Sequence, residues 1–305
     1  MNKPFLILLL LTLFFKYSFT QNLVINPSFE DTLCCPVGLD DLNCVGTWTN
    51  PTRATPGYFN SCSVWQAGVP QNDVGLQFAR TGSAYAGGHT SDFTSTDYRE
   101  YIQGKFISPL EEGKHYEVSF YVSLADSSTK ACDNIGAYLH ANAFSVSNNL
   151  NLPFTPQVVS PSNQPITDVM GWTQVVDTII ATGGEQYITI GVFTNNTSTN
   201  WVNVLGGWMS EPFYYIDDVS VIKIEKTYPN VFTPNNDNIN DFWIPILISE
   251  NDIITIYNRW GQKITTLNYI NNKWDGKNQK GKECPSGVYY FITNTNEKGF
   301  IQLVR

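Results

Sequence analysis

Between residues 116 and 124, Tyr116, Val118, Phe120, Val122 and Leu124 alternate with Glu117, Ser119, Tyr121 and Ser123. A two-residue period places one set of side chains on one face of an extended chain and cannot form the apolar stripe of a helix. Similar runs occur at Trp172 to Val176, Tyr187 to Phe193 and Tyr214 to Ile224, separated by clusters of Gly, Pro, Asn, Ser and Thr that act as turns. Helical periodicity is nearly absent. Many short strands with polar turns predict an all-β chain built as a sandwich or barrel. No repeat with a period of roughly 20–50 residues interrupts this pattern, which argues against a solenoid or propeller. Residues 142–168 are rich in Asn, Ser and Pro and predict a long surface loop.

Lys3 precedes an apolar run from Phe5 to Phe15 that ends in Ser18-Phe19-Thr20, so residues 1–20 read as a signal peptide and the mature chain is expected to start near Gln21. That run falls short of the ~20 apolar residues of a membrane helix, and no later stretch approaches it, so no transmembrane segment is expected. Without Lys3 and Lys16, 16 bases face 27 acids, a net charge of −11. Residues 21–226 hold 20 acids and 8 bases, and residues 227–305 hold 7 acids and 8 bases. This asymmetry, with the turn-rich stretch after Lys226, divides the mature chain into 21–226 and 227–305. An acidic first part is no partner for nucleic acid.

Six cysteines, Cys34, Cys35, Cys44, Cys62, Cys132 and Cys284, belong to a chain bound for an oxidising space, where disulfides persist. Five lie in the first part, so one is left over unless it pairs with Cys284, and spacing does not give the connectivity. Zinc is the weaker reading, since Cys34 and Cys35 are adjacent and no CxxC or HxxxH pair accompanies them.

The second part carries ordered motifs. Asn230-Val231-Phe232-Thr233-Pro234-Asn235-Asn236-Asp237-Asn238-Ile239-Asn240-Asp241-Phe242-Trp243 is followed by Asn258-Arg259-Trp260-Gly261, by Trp274-Asp275-Gly276, and by Pro285-Ser286-Gly287-Val288-Tyr289-Tyr290-Phe291. Together they resemble the gliding motility-associated, type-B C-terminal sorting domain of the type IX secretion system of Bacteroidetes. The resemblance implies a small Ig-like β-sandwich, recognition by the outer-membrane translocon, and a place outside the cell, either released or held on the surface. Asn236 and Asn238 stand where that family often has glycine, and Asn tolerates the left-handed backbone such a turn needs. The residues alone place Ile254, Ile256, Val288, Tyr290, Ile301 and Leu303 in a core, with Trp260, Trp274 and Tyr289 as further packing residues. Asn235, Asp237, Asn240 and Asp241 offer oxygens that suit calcium, although Asn/Asp-rich turns form without metal.

In the first part, Asn22-Leu23-Val24-Ile25-Asn26-Pro27-Ser28-Phe29-Glu30, Thr81-Gly82-Ser83-Ala84-Tyr85-Ala86-Gly87 and Phe213-Tyr214-Tyr215-Ile216-Asp217-Asp218-Val219-Ser220-Val221 resemble strands of carbohydrate-binding, galactose-binding-like jelly rolls. The resemblance implies a jelly-roll sandwich in which Glu30 and Asp218, with Asp217, share a structural calcium. Neighbouring buried carboxylates repel unless a cation neutralises them, and the alternative leaves Asp217 and Asp218 solvated at a strand bulge.

A sugar site needs exposed aromatic faces and polar side chains. Trp48, Tyr58, Trp65, Tyr98, Trp201 and Trp208 lie in turn-rich segments, with Arg53, Asp92 and Asp97 nearby. No GxSxG elbow, Walker loop, dinucleotide fingerprint or HExxH occurs, and of His89, His115 and His140 only His89 offers itself as a catalytic base, its plainer reading being a surface-loop histidine. The sequence therefore predicts an exported, non-catalytic module that binds glycan or another extracellular ligand. A polysaccharide hydrolase using two jelly-roll carboxylates, and a structural surface adhesin, stay open as alternatives.

Overall fold

A computed structural model describes residues 21–64, 66–91, 97–246 and 251–305. The signal-peptide reading and the candidates Trp65 and Asp92 fall outside them. The chain is all-β, with one 3-10 turn, Leu42–Val45, as the helical element among the described residues.

The strands of the first part begin with β1 (Gly57–Asn60), the short hairpin β2 (Gln71–Asn72) and β3 (Gly75–Leu76), then β4 (Ala84–His89) and β5 (Ile102–Lys105). Next come β6 (His115–Leu124), β7 (Lys130–Cys132), β8 (Ile135–His140), β9 (Val158–Val159) and β10 (Thr173–Ile180). They end with β11 (Tyr187–Val192), β12 (Trp201–Asn203) and β13 (Phe213–Ile224).

One sheet has the order β1-β4-β13-β6-β10 and the other β5-β11-β8-β9, so sequence neighbours are split between layers, as in a jelly roll. The alternating face of β6 explains the packing: Tyr116, Val118, Phe120, Val122 and Leu124 meet Ile135, Ala137, Leu139, Ile188 and Ile190 in one core cluster. The opening segment sits at the seam of the two sheets. Asn22 bridges to Ile222 at the end of β13, and Val24 bridges to Phe106 just after β5.

The predicted surface loop 142–168 is more ordered than a surface connection. β9 extends the second sheet by pairing with β8, and Leu152, Val158 and Ile166 are buried. Phe144, Val146 and Phe154 pack against Tyr101, Leu152 and Phe193 on the outer side of that sheet. Its Asn, Ser and Pro residues supply turns, while its few apolar residues anchor it.

The second part forms one five-stranded sheet from β14 (Val231–Phe232), β15 (Ile253–Tyr257), β16 (Lys263–Asn268), β17 (Gly287–Thr293) and β18 (Lys298–Leu303), in the order β14-β18-β17-β15-β16. The opposing layer consists of short segments joined through the bridges Trp243 with Trp274 and Lys277 with Glu283. Between the layers lie Phe232, Trp243, Ile256, Trp274, Phe291 and Ile301.

Two expectations about this core are corrected. Tyr289 and Phe291 point inward, and Tyr290, 48% accessible, points out, because consecutive strand residues face opposite ways. Trp260, read as a packing residue, is 80% accessible at a turn tip.

The cysteines resolve as Cys34–Cys44 and Cys35–Cys62 disulfides, with Cys132 and Cys284 buried and free. The adjacent pair thus staples the 34–62 segment to itself twice. Cys132 lies in the core of the first part and Cys284 in that of the second, so neither is the other's partner.

Candidate functional site

The motifs of the second part converge on one end of its sheet. Asp241 closes the Asn-rich turn: one carboxylate oxygen accepts the backbone N–H groups of Asn235 (2.9 Å) and Asn236 (2.6 Å), and the other accepts that of Asn238 (2.9 Å). Asn236 and Asn238 adopt φ of 66° and 67°, the left-handed conformation expected of them, and Asn240 joins them at 54°. Asp237 accepts from the Asn235 amide and the Ile239 N–H, which together hold its carboxyl below the usual range. The side-chain oxygens of Asn235, Asp237 and Asp241, three of the four read as calcium ligands, are therefore engaged by the turn's own donors.

Beside this turn, Gly276 has φ of 76°, and a Cβ there would stand 2.9 Å from the Arg305 guanidinium and 3.3 Å from the Pro234 ring. Arg305 donates to the Gly276 carbonyl and pairs with Glu283 at 3.0 Å. Thr233, Pro234, Asp275, Gly276 and Arg305 thus form one contiguous group built on Phe232 and Trp274, whose rings lie 5.1 Å apart.

The other motifs meet around a pocket of about 410 Å³ between the Asn258–Gln262 turn and residues 282–289. The Asn258 side-chain oxygen accepts the N–H groups of Trp260 and Gln262, and its amide donates to Gln262, so the tip that carries Arg259, Trp260 and Gly261 is rigid. On the far wall Tyr289 donates to the Pro285 carbonyl, and Gly287 follows with φ of 151°.

In the first part, the acids Glu30, Asp217 and Asp218 all serve the segment 80–84. Glu30 accepts from the backbone N–H groups of Ser83 and Ala84 and from the Ser83 hydroxyl. Asp217, fully buried, accepts from the N–H groups of Arg80, Thr81 and Asp218. Asp218, at φ 48° where the β6–β13 register shifts, accepts from the Ser28 and Thr81 hydroxyls and pairs with Arg80. The Arg80 guanidinium also lies 3.4 Å over the Tyr121 ring.

Burial, then the charge of Asp218, pushes Asp217 up to about 8. Burial also raises Asp218, but the Thr81 and Ser28 hydroxyls and Arg80 outweigh it and hold that carboxyl below the usual range. These oxygens face N–H and O–H donors, and Arg80 supplies a cation beside Asp218. Among the described residues no group of three or more His, Cys, Asp or Glu side chains is placed to hold a metal ion.

The aromatic candidates separate into distinct environments. Trp48 and Tyr58 are buried and offer no stacking face, which corrects their reading as exposed platforms. The Trp48 ring lies flat on Gly104 of β5, where a Cβ would come within 2.7 Å, and its indole N–H donates to the Asn26 carbonyl. Tyr58 donates to the Phe29 carbonyl. Tyr98 and Trp201, half-buried, flank Arg99: Arg99 donates to the Tyr98 carbonyl and sits 6.0 Å from the Trp201 ring centroid. Trp208 stands apart, 75% accessible. Arg53 is exposed and Asp97 accepts from the Asn196 N–H. His89, read as a surface-loop histidine, ends strand β4 with its ring edge-on to Phe213.

Beside Trp48 opens a pocket of about 350 Å³ whose polar lining is Asp40, Asn43, Thr49, Asn50 and Thr55. The 3-10 turn and the Cys34–Cys44 disulfide hold the 40–46 part of its rim. None of these five residues was a sequence candidate. The paired cysteines were the available signal, since a doubly stapled segment can hold polar side chains in fixed positions.

Comparison with known proteins places these features. No curated protein matches the chain. Solved structures of low similarity include the CBM22-1 xylan-binding domain of Paenibacillus barcinonensis Xyn10C, 13% identical over 59% of this chain and 87% of that one at a TM-score of 0.30. The K1 cleaved adhesin domain of Lys-gingipain from Porphyromonas gingivalis is 13% identical over 67% of this chain and 99% of that one at a TM-score of 0.34. TmCBM61 in complex with β-1,4-galactotriose is 13% identical over 67% and 100% at a TM-score of 0.28. Likenesses this weak carry nothing about ligand or activity. The family model of the CHU_C type IX secretion signal domain matches residues 226–303, the span in which the four sequence motifs converge, so this segment is a type IX secretion signal domain.

Proposed function

We propose that the chain is a non-catalytic glycan-binding module, delivered to the cell exterior by its type IX secretion signal domain. The observation that carries the binding half is the pocket beside Trp48: about 350 Å³, with a carboxylate, two amides and two hydroxyls over apolar walls of Leu42, Ala54 and Pro56. That is the balance of a small-ligand site, in which a few fixed polar groups orient a ligand against an apolar surface. Asp40 and Asn43 are exposed and can reach sugar hydroxyls, whereas the Thr49 and Thr55 hydroxyls are shared with Gln103 and Glu100. Asp40 is the one carboxylate among the lining residues, whereas acid–base hydrolysis of a glycosidic bond uses two.

A glycan-array screen of the mature chain, followed by titration of each positive glycan, tests this reading. Binding that weakens about tenfold or more in an Asp40→Ala, Asn43→Ala double variant is expected, the loss of two polar contacts being worth at least that factor. Binding to no glycan, or binding indifferent to both changes, overturns it.

A further inference from the structure

The pocket of the signal domain has a chemistry of its own. Its amide oxygens are already used: Asn258 accepts from the N–H groups of Trp260 and Gln262, Gln262 accepts from the Asn258 amide, and Asn278 accepts from the N–H groups of Lys280 and Lys282. The Ser286 hydroxyl oxygen accepts the Arg305 N–H. Glu283, the one acid on the lining, is paired with Arg305. The charged groups the pocket keeps unpaired for a ligand are donors.

Arg259 and Lys282 are the strongest of these, and among the described residues no carboxylate lies within ion-pair distance of either. Ile264, Pro285 and Val288 add apolar wall, and Trp260 stands above it, 80% accessible on a turn that hydrogen bonds make rigid. Holding an indole in water on a rigid tip contributes nothing to folding, because apolar surface gains only when it leaves water. An anchor of this kind, with adjacent cations, is typical of residues that dominate protein–protein contacts.

We infer that this pocket binds an acidic peptide segment, Arg259 and Lys282 taking a side-chain carboxylate while Trp260 and the Ile264–Val288 wall cover the apolar residues beside it. A glycan fits less well, since its neutral hydroxyls offer no charge for Arg259 and Lys282 to pair with. The charge balance agrees: residues 227–305 carry one more base than acid, against an excess of 12 acids in residues 21–226. The inference builds on the signal-domain assignment by stating which end of that domain meets a partner and through what chemistry.

The test uses the full mature chain and a fluorescein-labelled probe, Val-Glu-Leu-Asp-Val with blocked ends, read by fluorescence polarisation. Saturable binding is expected that weakens about tenfold or more with the Gln/Asn version of the probe, with Arg259→Ala and with Lys282→Ala, as befits charge-assisted contacts. Trp260→Ala is expected to weaken both probes alike, and circular dichroism to be unchanged in all three variants, whose side chains are exposed. Equal binding of acidic and neutral probes, indifference to Arg259 and Lys282, or tighter binding of an oligoglucuronate overturns the inference. Export of the variants in a type IX-competent host is scored separately. Normal export without peptide binding sinks this pocket and leaves the signal assignment standing, whereas unchanged export of a chain lacking residues 227–305 would sink the assignment itself.

Discussion

Phe154 stacks on Tyr138 with ring centroids 4.6 Å apart and planes within 4° of parallel. The row continues through His140, 5.3 Å from Tyr138, to Tyr187, 5.7 Å further on, so the 142–157 segment is fastened across the second sheet by an aromatic column. Phe154→Ala removes one end of the column and is expected to lower the stability of the mature chain by about 1–3 kcal/mol, less than a fully enclosed Phe would cost. The urea midpoint should fall, and limited proteolysis should open new cuts between residues 142 and 157. An unchanged midpoint and digest would show that the segment is held by its backbone contacts alone.

Gly276 is required twice over, by φ of 76° and by the Arg305 guanidinium 2.9 Å from where its Cβ would be. Gly113 has a similar φ of 71° but nothing within 4 Å. Gly113→Ala should therefore cost only the backbone term of about 1 kcal/mol. Gly276→Ala should cost clearly more, about 2–3 kcal/mol once the displaced packing is included. Thermal unfolding of both variants measures the difference, and equal losses would remove Arg305 from the account.

Asp241 satisfies three backbone N–H groups of the Asn-rich turn. Asp241→Ala is expected to destabilise the signal domain by about 1–3 kcal/mol, scaled down by the partial access of the turn to water. Because donors occupy these oxygens, millimolar calcium should not shift the wild-type melting temperature. A rise with calcium that EDTA reverses would assign the turn, or the Glu30–Asp218 region, to a metal.

Asp217 gives a pH dependence with a defined sign. Its carboxyl titrates near 3.8 in the unfolded chain and near 8 in the folded one, through burial and then the neighbouring Asp218. The folded state holds the extra proton between these values, so the stabilisation is full below about pH 4, declines as pH rises, and is gone above about pH 8. Asp217→Asn cannot titrate. Wild type should lose stability relative to this variant from pH 5 to 8 and run parallel to it above pH 8 in urea titrations, and a gap that does not change with pH would refute the shift.

Cys132 lies wholly in the core, and burial, only partly offset by the Thr90 and Tyr214 hydroxyls, pushes its thiol up to about 12. Burial raises Cys284 as well. A thiol so held reacts slowly, since the thiolate is the nucleophile. Alkylation followed by mass measurement should find no reactive thiol in the native chain, two in urea without reductant, and six in urea with reductant. Four in urea without reductant would break one of the two pairings, and reducing both should cost about 2–5 kcal/mol.

Much of this protein is written locally. A period-two run such as Tyr116 to Leu124 becomes a strand wherever it packs, because alternation alone makes one face apolar, and the left-handed turn at Asn236, Asn238 and Asn240 follows from what Asn tolerates. The secretion signal is legible for the same reason: its motifs are contiguous stretches whose turns are closed by neighbours in sequence, as Asn258 and Asp241 do.

What the tertiary structure decided are relationships between distant residues. Whether Trp48 is a platform or a core residue depends on Gly104 lying beneath it, and what Glu30, Asp217 and Asp218 gather depends on Arg80 and Ser83 arriving from the turn before β4. The same holds for the choice between Tyr289 and Tyr290 as core, which a one-residue difference in register reverses, and for the disulfide partners of Cys34 and Cys35. Burial and partner choice are set by the packing of two sheets, and residue type fixes only what each side chain can do once the packing has placed it.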